Sequence, residues 1–217
     1  SSNDNVFLFP LIEDLFHNKP NKHHTNKNKI KICYHGHQSH LASFEPYLKQ
    51  ALEEFSRETD IELLVIHGDP GFNWTYGRPN IPISFKRWSY DTILSDIQSC
   101  DIGICPNASV AKEPPHKITT EHGLFNTDYL LRFKNKSNAG RAFVFHQLGI
   151  PTIADLTPSH FHVLGNPDCG YIAMSKNGWL SGLRELSSAR HRNFIAGNAR
   201  KEFDRLYDPL EWSRRLY

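Results

Sequence analysis

The sequence predicts an α/β fold, a Rossmann-like doubly wound parallel sheet with helices on both faces. Three observations carry that expectation. Short apolar runs alternate along the chain with longer segments of helical periodicity, the pattern of strand–helix–strand units with parallel strands. Residues 61–66 (IELLVI) form an apolar run bounded by His67-Gly68-Asp69-Pro70, as a strand covered on both faces should be. A helical segment from about Asn138 stops at Gly149 with Pro151 just beyond, the expected signal for a helix end.

The elements follow in order. Residues 6–15 (VFLFPLIEDL) are apolar and interrupted by Pro10. Residues 18–29 (NKPNKHHTNKNK) are polar and low in complexity, and read as a solvated linker with His23 and His24 on a mobile surface. Residues 30–34 (IKICY) read as a strand ending at Gly36. Leu41, Phe44, Leu48, Ala51, Leu52 and Phe55 then recur at helical spacing, closing near Thr59. After the strand over 61–66 come a loop (71–80), a third strand (83–88), a helix (90–99) and a strand (102–105) stopped by Pro106. Residues 107–135 hold Pro114, Pro115 and Gly123 and read as long and irregular, a length that in a compact domain marks function or disorder. Beyond the helix that ends at Gly149, strands are expected over 152–154 and 171–174, and helices over 179–186 and 195–206. The second of these helices sets Ile195, Ala199, Phe203 and Leu206 on one face, and a last short helix carries Trp212 and Leu216. The chain thus divides into an arm (1–29), a domain (30–207) and a terminal helix (208–217).

Composition narrows the functions. A chain of 217 residues, 39% hydrophobic and 12% aromatic, supports one sizeable core. A formal net charge of +2 is too small to make nucleic acid the expected partner. No apolar run approaches a membrane span, and the opening SSNDNVFLFP has no basic region before an apolar stretch. The expected location is cytoplasmic, at most peripheral at the inner face of a membrane. Cys33, Cys100, Cys105 and Cys169 make no CxxC pair and read as reduced, packed thiols. Sequons at Asn73, Asn107 and Asn135 are read as chance in a chain without a secretion signal.

Two segments carry candidate chemistry. The turn Tyr34-His35-Gly36-His37-Gln38 joins the first strand to the first helix, and ligands of doubly wound sheets bind at such carboxyl ends. Gly36 would let backbone amides approach a phosphate, although a plain tight turn explains it equally. The same stretch reads His35-x-His37-x-x-His40, close to a metallohydrolase signature, but Ser39 stands where the second metal's aspartate would be, so no metal is expected. The second segment, residues 134–151 (KNKSNAGRAFVFHQLGIP), gathers Lys134, Lys136 and Arg141 around a Ser-Asn helix start. Free amides and cations at one helix end suit a diphosphate. Capping alone would explain Ser137 and Asn138 but not the basic cluster. Trp88, at a strand end, is a candidate to flank a nucleotide base, the alternative being a packed aromatic. Lys86 and Arg87 suit phosphate or plain solvation, and Asp155 a sugar contact or a helix cap.

The ordered set of pieces resembles a known family. Asp101-Ile-Gly-Ile-Cys-Pro106, a variable loop, Lys136-Ser-Asn, and Leu148-Gly-Ile-Pro-Thr-Ile-Ala-Asp155 are similar to the C-terminal domain of GT-B glycosyltransferases of the group 1, family 4-like kind. Gly170-Tyr171, Trp179, Asn198-Ala-Arg200, Tyr207 and Trp212 continue the likeness over roughly residues 85–217, and 30–68 fit the first strand–helix–strand unit.

That resemblance implies the donor-binding half of a sugar transferase, inactive alone, facing an N-terminal acceptor domain across a cleft. Residues 6–15 then resemble the linker arriving from that missing domain, and 208–217 the helix that crosses back to it. The substrate implied is a nucleotide-diphosphate sugar, with no further cofactor, used in polysaccharide or lipopolysaccharide assembly. The expected cradle for the diphosphate is Gly36, His37, Lys136, Ser137, Asn138 and Arg141, with Gln38 and Trp88 also expected to bind the nucleotide sugar and any general base in the partner domain. One departure stands out: the paired glutamates of many members fall here at Lys136 and Val144, neither acidic. The competing readings are a non-catalytic Rossmann-like nucleotide-binding module and a metal-dependent hydrolase built on His35, His37 and His40.

Overall fold

Alternate side chains of the central strands enter two hydrophobic clusters, one on each face of a parallel sheet. The computed structural model describes residues 14–16, 18–69, 73–74, 76–107, 117–120, 123–126 and 139–215. Its first four strands are β1 (Lys29–His35), β2 (Asp60–His67), β3 (Ile83–Arg87) and β4 (Ile102–Cys105). β5 (Lys117–Thr120) and β6 (Gly123–Asn126) pair with each other antiparallel, and β7 (Thr152–Asp155) and β8 (Tyr171–Ala173) return to the main sheet. The order β3-β2-β1-β4-β7-β8, with each neighbouring pair parallel, is that of a doubly wound Rossmann-like sheet. Strand order reverses between β1 and β4, which places the ligand crevice of this architecture at their carboxyl ends.

The helices among the described residues are α1 (Tyr47–Phe55), α2 (Ile93–Gln98), α3 (Gly140–Gln147), α4 (Pro158–Leu164), α5 (Lys176–Glu185), α6 (Ala189–Leu206) and α7 (Pro209–Arg214). Ile30, Ile32 and Tyr34 of β1, with Ile61, Leu63 and Val65 of β2, pack against α1 and α5. Cys33, Leu64 and Ile66, on the alternate positions, meet Ile97 of α2 and Phe143 and Val144 of α3. α6 serves both faces, with Ile195 in the first cluster and Phe203 in the second. Each aliphatic or aromatic side chain so buried contributes roughly 1.5–3 kcal/mol.

Some elements differ from expectation, each for a local reason. The helix expected from Leu41 to Phe55 is split into a 3-10 helix (Gln38–Phe44) and α1, because Pro46 has no amide to continue the ladder. All six apolar residues on its expected face are nevertheless buried. The stretch read as irregular holds the β5–β6 pairing; its remaining residues beyond Asn107 lie outside the described residues. α4 escapes the apolar pattern but carries a start signal: Pro158 opens it and the Thr157 side chain accepts from the His160 amide at 3.2 Å. The four cysteines are buried thiols without disulfides.

Residues 18–29 are not simply a solvated linker. Most of their side chains are exposed, but His24 is buried, and its Nε2 donates to the Gly149 carbonyl at 2.8 Å. The Lys22 amide donates to the Leu148 carbonyl, and the Asn193 side chain bonds both backbone groups of His24. The physical reason is Asp101. It is buried at the start of β4 and accepts from Lys22 Nζ at 3.0 Å, Lys27 Nζ at 2.9 Å and the Lys31 amide at 3.1 Å. Burial alone would raise this carboxyl, but the nearby His24 ring, the bonds from Lys27 and the Lys31 amide, and the charge of Lys22 hold it well below the usual carboxylate range. A buried anion thus draws basic side chains of the strap onto the domain. His23 is exposed as expected, whereas the surface placement of His24 is corrected. Residues 6–13 and Leu216 of the expected arm and last helix lie outside the described residues.

Candidate functional site

The carboxyl ends of β1, β4 and β7 and the first turn of α3 meet at the crevice where the strand order reverses. β1 runs into Gly36, whose φ of +142° suits only glycine, and whose amide extends the ladder by donating to the Ile66 carbonyl at 3.0 Å. A β-carbon at Gly36 would stand 3.0 Å from Arg141 Cδ and 3.3 Å from the Tyr34 hydroxyl. The turn after β1 and the beginning of α3 are therefore in contact.

Arg141 organises this meeting. Its Nη1 donates to the Pro106 carbonyl, at the end of β4, at 3.0 Å. Its guanidinium carbon lies 5.6 Å from the centre of the Tyr34 ring, a cation–π geometry. Its own carbonyl accepts from His35 Nε2 at 3.3 Å, so that nitrogen carries the proton. The His35 ring packs edge-on against Phe145, and burial, helped by the Arg141 charge, lowers it to about 4 against the opposing carbonyl bond. His35 is neutral at pH 7. Tyr34 is fully buried beneath the turn and donates its hydroxyl to the His37 carbonyl at 2.6 Å. Burial raises the phenol to about 12, opposed by the charge of Arg141.

Of the residues expected at the site, Gly36, His37, Gln38 and Arg141 gather here, with His37 exposed and Gln38 half-exposed at the start of the 3-10 helix. Lys134, Lys136, Ser137 and Asn138 lie outside the described residues. The expectation that Ser137 or Asn138 caps α3 is corrected: the helix begins at Gly140, and its N-cap is Ala139, which has no side-chain oxygen to offer. Ala139 thus supplies no side-chain cap to α3. Trp88 follows β3, where its amide continues the ladder to His67, and its half-buried ring packs edge-on against Tyr90 at 4.5 Å.

Other candidates have structural partners. Lys86 is ion-paired with Asp96 on α2, which separates it from a phosphate role, and Arg87 is exposed. Asp155 accepts from the Asn107 amide and stands 3.3 Å from His160 Nδ1, joining the end of β4 to α4. Neither Tyr34 nor Pro106 was legible as part of the site. Tyr34 reads as the last core position of a strand, and only its hydroxyl beside a glycine turn hints at more. The His35-x-His37-x-x-His40 segment is not gathered for a metal. His35 is buried with one nitrogen on a carbonyl, and the described residues hold no group of three or more His, Cys, Asp or Glu able to bind an ion.

No protein-family model and no curated protein sequence matches the chain. In three dimensions it is similar to the C-terminal domain of a group 1 family glycosyl transferase, LpcC, from Francisella tularensis. The TM-score is 0.55 at 15% identity, over 91% of this chain and 98% of that one. It is similar also to WaaG, a glycosyltransferase involved in lipopolysaccharide biosynthesis, with a TM-score of 0.50 at 16% identity over 88% of this chain and 46% of WaaG. Anabaena HepE, solved in complex with UDP and glucose, gives a TM-score of 0.51 at 9% identity over 87% of this chain and 47% of HepE. The chain spans about half the length of the latter two proteins. Its architecture is a Rossmann-like fold similar to that of these glycosyltransferase domains, with the C-terminal domain of the Francisella protein matched over nearly its whole length.

Proposed function

We propose that this chain is the nucleotide-sugar-binding half of a two-domain glycosyltransferase, completed by an N-terminal acceptor domain. The observation that carries the reading is the contact between the Gly36 turn and Arg141 at the reversal of strand order. Sugar transfer requires that a nucleoside diphosphate leave with its negative charge stabilised. Here the turn that follows Gly36, the N-terminal end of α3 and the Arg141 guanidinium would face that charge, without a metal or other cofactor. Lys136, Ser137 and Asn138 are assigned to the same cradle from their sequence position, and Trp88 to the base. The general base belongs to the acceptor domain.

The likeness to WaaG and HepE supports assignment to polysaccharide or lipopolysaccharide assembly with a nucleotide sugar as donor. None of the helices among the described residues is long and apolar enough to cross a membrane, which fits a cytoplasmic enzyme working peripherally at the inner face. One observation bears on a second reading, a Rossmann-like module without catalysis that holds a nucleotide by other contacts or a partner, its donor binding having been lost. Val144, at the counterpart of a ribose-binding glutamate, is buried in the core beside Phe143 and cannot meet a ligand.

Thermal-shift titration with UDP, GDP, CDP and dTDP tests donor binding. At about a hundred times Kd, a ligand specific for the folded state contributes roughly 2.7 kcal/mol, or about 5–10 °C for a chain of this size. No shift with any of the four at millimolar concentration counts against the proposal. A shift without sugar transfer in the complete protein favours the module.

A further inference from the structure

Tyr34 points into the α1–α5 face of the sheet, while Arg141 comes from α3 on the other. They nevertheless converge on one backbone position, since a β-carbon at Gly36 would lie within 3.3 Å of both. The Tyr34 hydroxyl holds the His37 carbonyl, and its ring lies under the Arg141 guanidinium, whose Nη1 is held at the Pro106 carbonyl. One buried side chain thus contacts both the glycine turn and the cation, and it is anchored in the core with no exposed surface.

We infer that Tyr34 is a positioning residue, which locks the Gly36–His37 turn and Arg141 into a single diphosphate-binding unit. This rests on the donor-binding reading above. The chemistry follows from the partners. The Tyr34 hydroxyl donates its proton to the His37 carbonyl, turning that oxygen away from the crevice as a bonded acceptor, so the turn can present amides to an anion. The ring face offers its negative quadrupole to the guanidinium, which limits where the charge can swing. With Nη1 held on the Pro106 carbonyl and the guanidinium set against Tyr34, the charge is fixed at the crevice, where its fork can meet phosphate oxygens. Tyr34 itself touches no ligand; its effect is on geometry, where small misplacements are costly.

The test is a double-mutant cycle on the full chain, with UDP, GDP, CDP, dTDP and inorganic pyrophosphate as probes. Tyr34→Phe keeps the ring and volume and removes only the hydroxyl, so melting temperature and circular dichroism should stay close to wild type. Affinity for pyrophosphate and for the preferred nucleotide should fall about five- to ten-fold. In an Arg141→Ala background the same substitution should cost less than about two-fold, because the unit is already broken. Equal losses in both backgrounds, or a lowered melting temperature with unchanged affinity, would make Tyr34 merely structural and overturn the inference. Wild-type binding that Tyr34→Phe leaves unchanged overturns the inference alone. A wild-type chain that binds none of the probes overturns the donor-binding reading and the inference with it.

Discussion

The ring of Phe145 fills the space above Gly103, so closely that a β-carbon there would stand 2.6 Å from Phe145 Cδ2. Glycine in the middle of a four-residue strand lets α3 lie against β4, and α3 carries Arg141 to the crevice. Gly103→Ala should therefore overpack the core by about 1–3 kcal/mol and lower the melting temperature by roughly 3–10 °C. Differential scanning calorimetry checks it, and an unchanged midpoint would mean that α3 is free to shift. Gly197, on α6, has open space around it and should accept alanine without loss.

His35 and His146 are buried on the α3 face, and burial lowers each to about 4, assisted at His35 by Arg141. In the unfolded chain both titrate near 6.5. Between those values the unfolded state binds more protons, so stability should be complete above about pH 6.5 and decline as pH falls towards 4. Two rings lowered this far correspond to a loss on the order of 3 kcal/mol each. Urea midpoints from pH 7 to pH 4.5 measure the slope, and His146→Gln should flatten it. A stability profile flat across that window would show that the rings are open to water.

Asp101 works in the opposite charge sense but the same pH direction. Its carboxyl is held below its unfolded value, so its contribution is present above about pH 4 and is lost as pH falls through the folded value. Asp101→Asn leaves Lys22 and Lys27 without their buried counter-ion and should cost about 2–4 kcal/mol at pH 7. The loss should be local as well as global. Amide exchange over residues 19–29 should accelerate more than exchange in β2, and uniform acceleration would show that the strap has no independent stability.

Arg141 carries the donor-binding proposal. Arg141→Ala should weaken the preferred nucleoside diphosphate about 10- to 100-fold by titration calorimetry. Arg141→Lys should recover only part of it, because an ammonium cannot reproduce the planar fork that reaches Pro106 and a phosphate together. Equal affinities of the lysine and wild-type chains would reduce the role of Arg141 to simple charge.

What the sequence determines by itself is the succession of strands and helices and the faces they bury. Those features are periodic and local: the run over 61–66 is buried almost throughout, and Leu41 to Phe55 keep their apolar face although Pro46 breaks the helix. It also marks Gly36 and Arg141, because a glycine after a strand and a cation at a helix start are local signals. Tertiary structure alone decided that these two touch across more than a hundred residues, since that contact depends on β4 pairing beside β1. It likewise turned Tyr34 from a core residue into the support of a crevice, and a polar lysine- and asparagine-rich stretch into a strap. Asp101 decided the latter: a buried carboxylate needs cations around it, and only the fold says which lysines are near enough to serve.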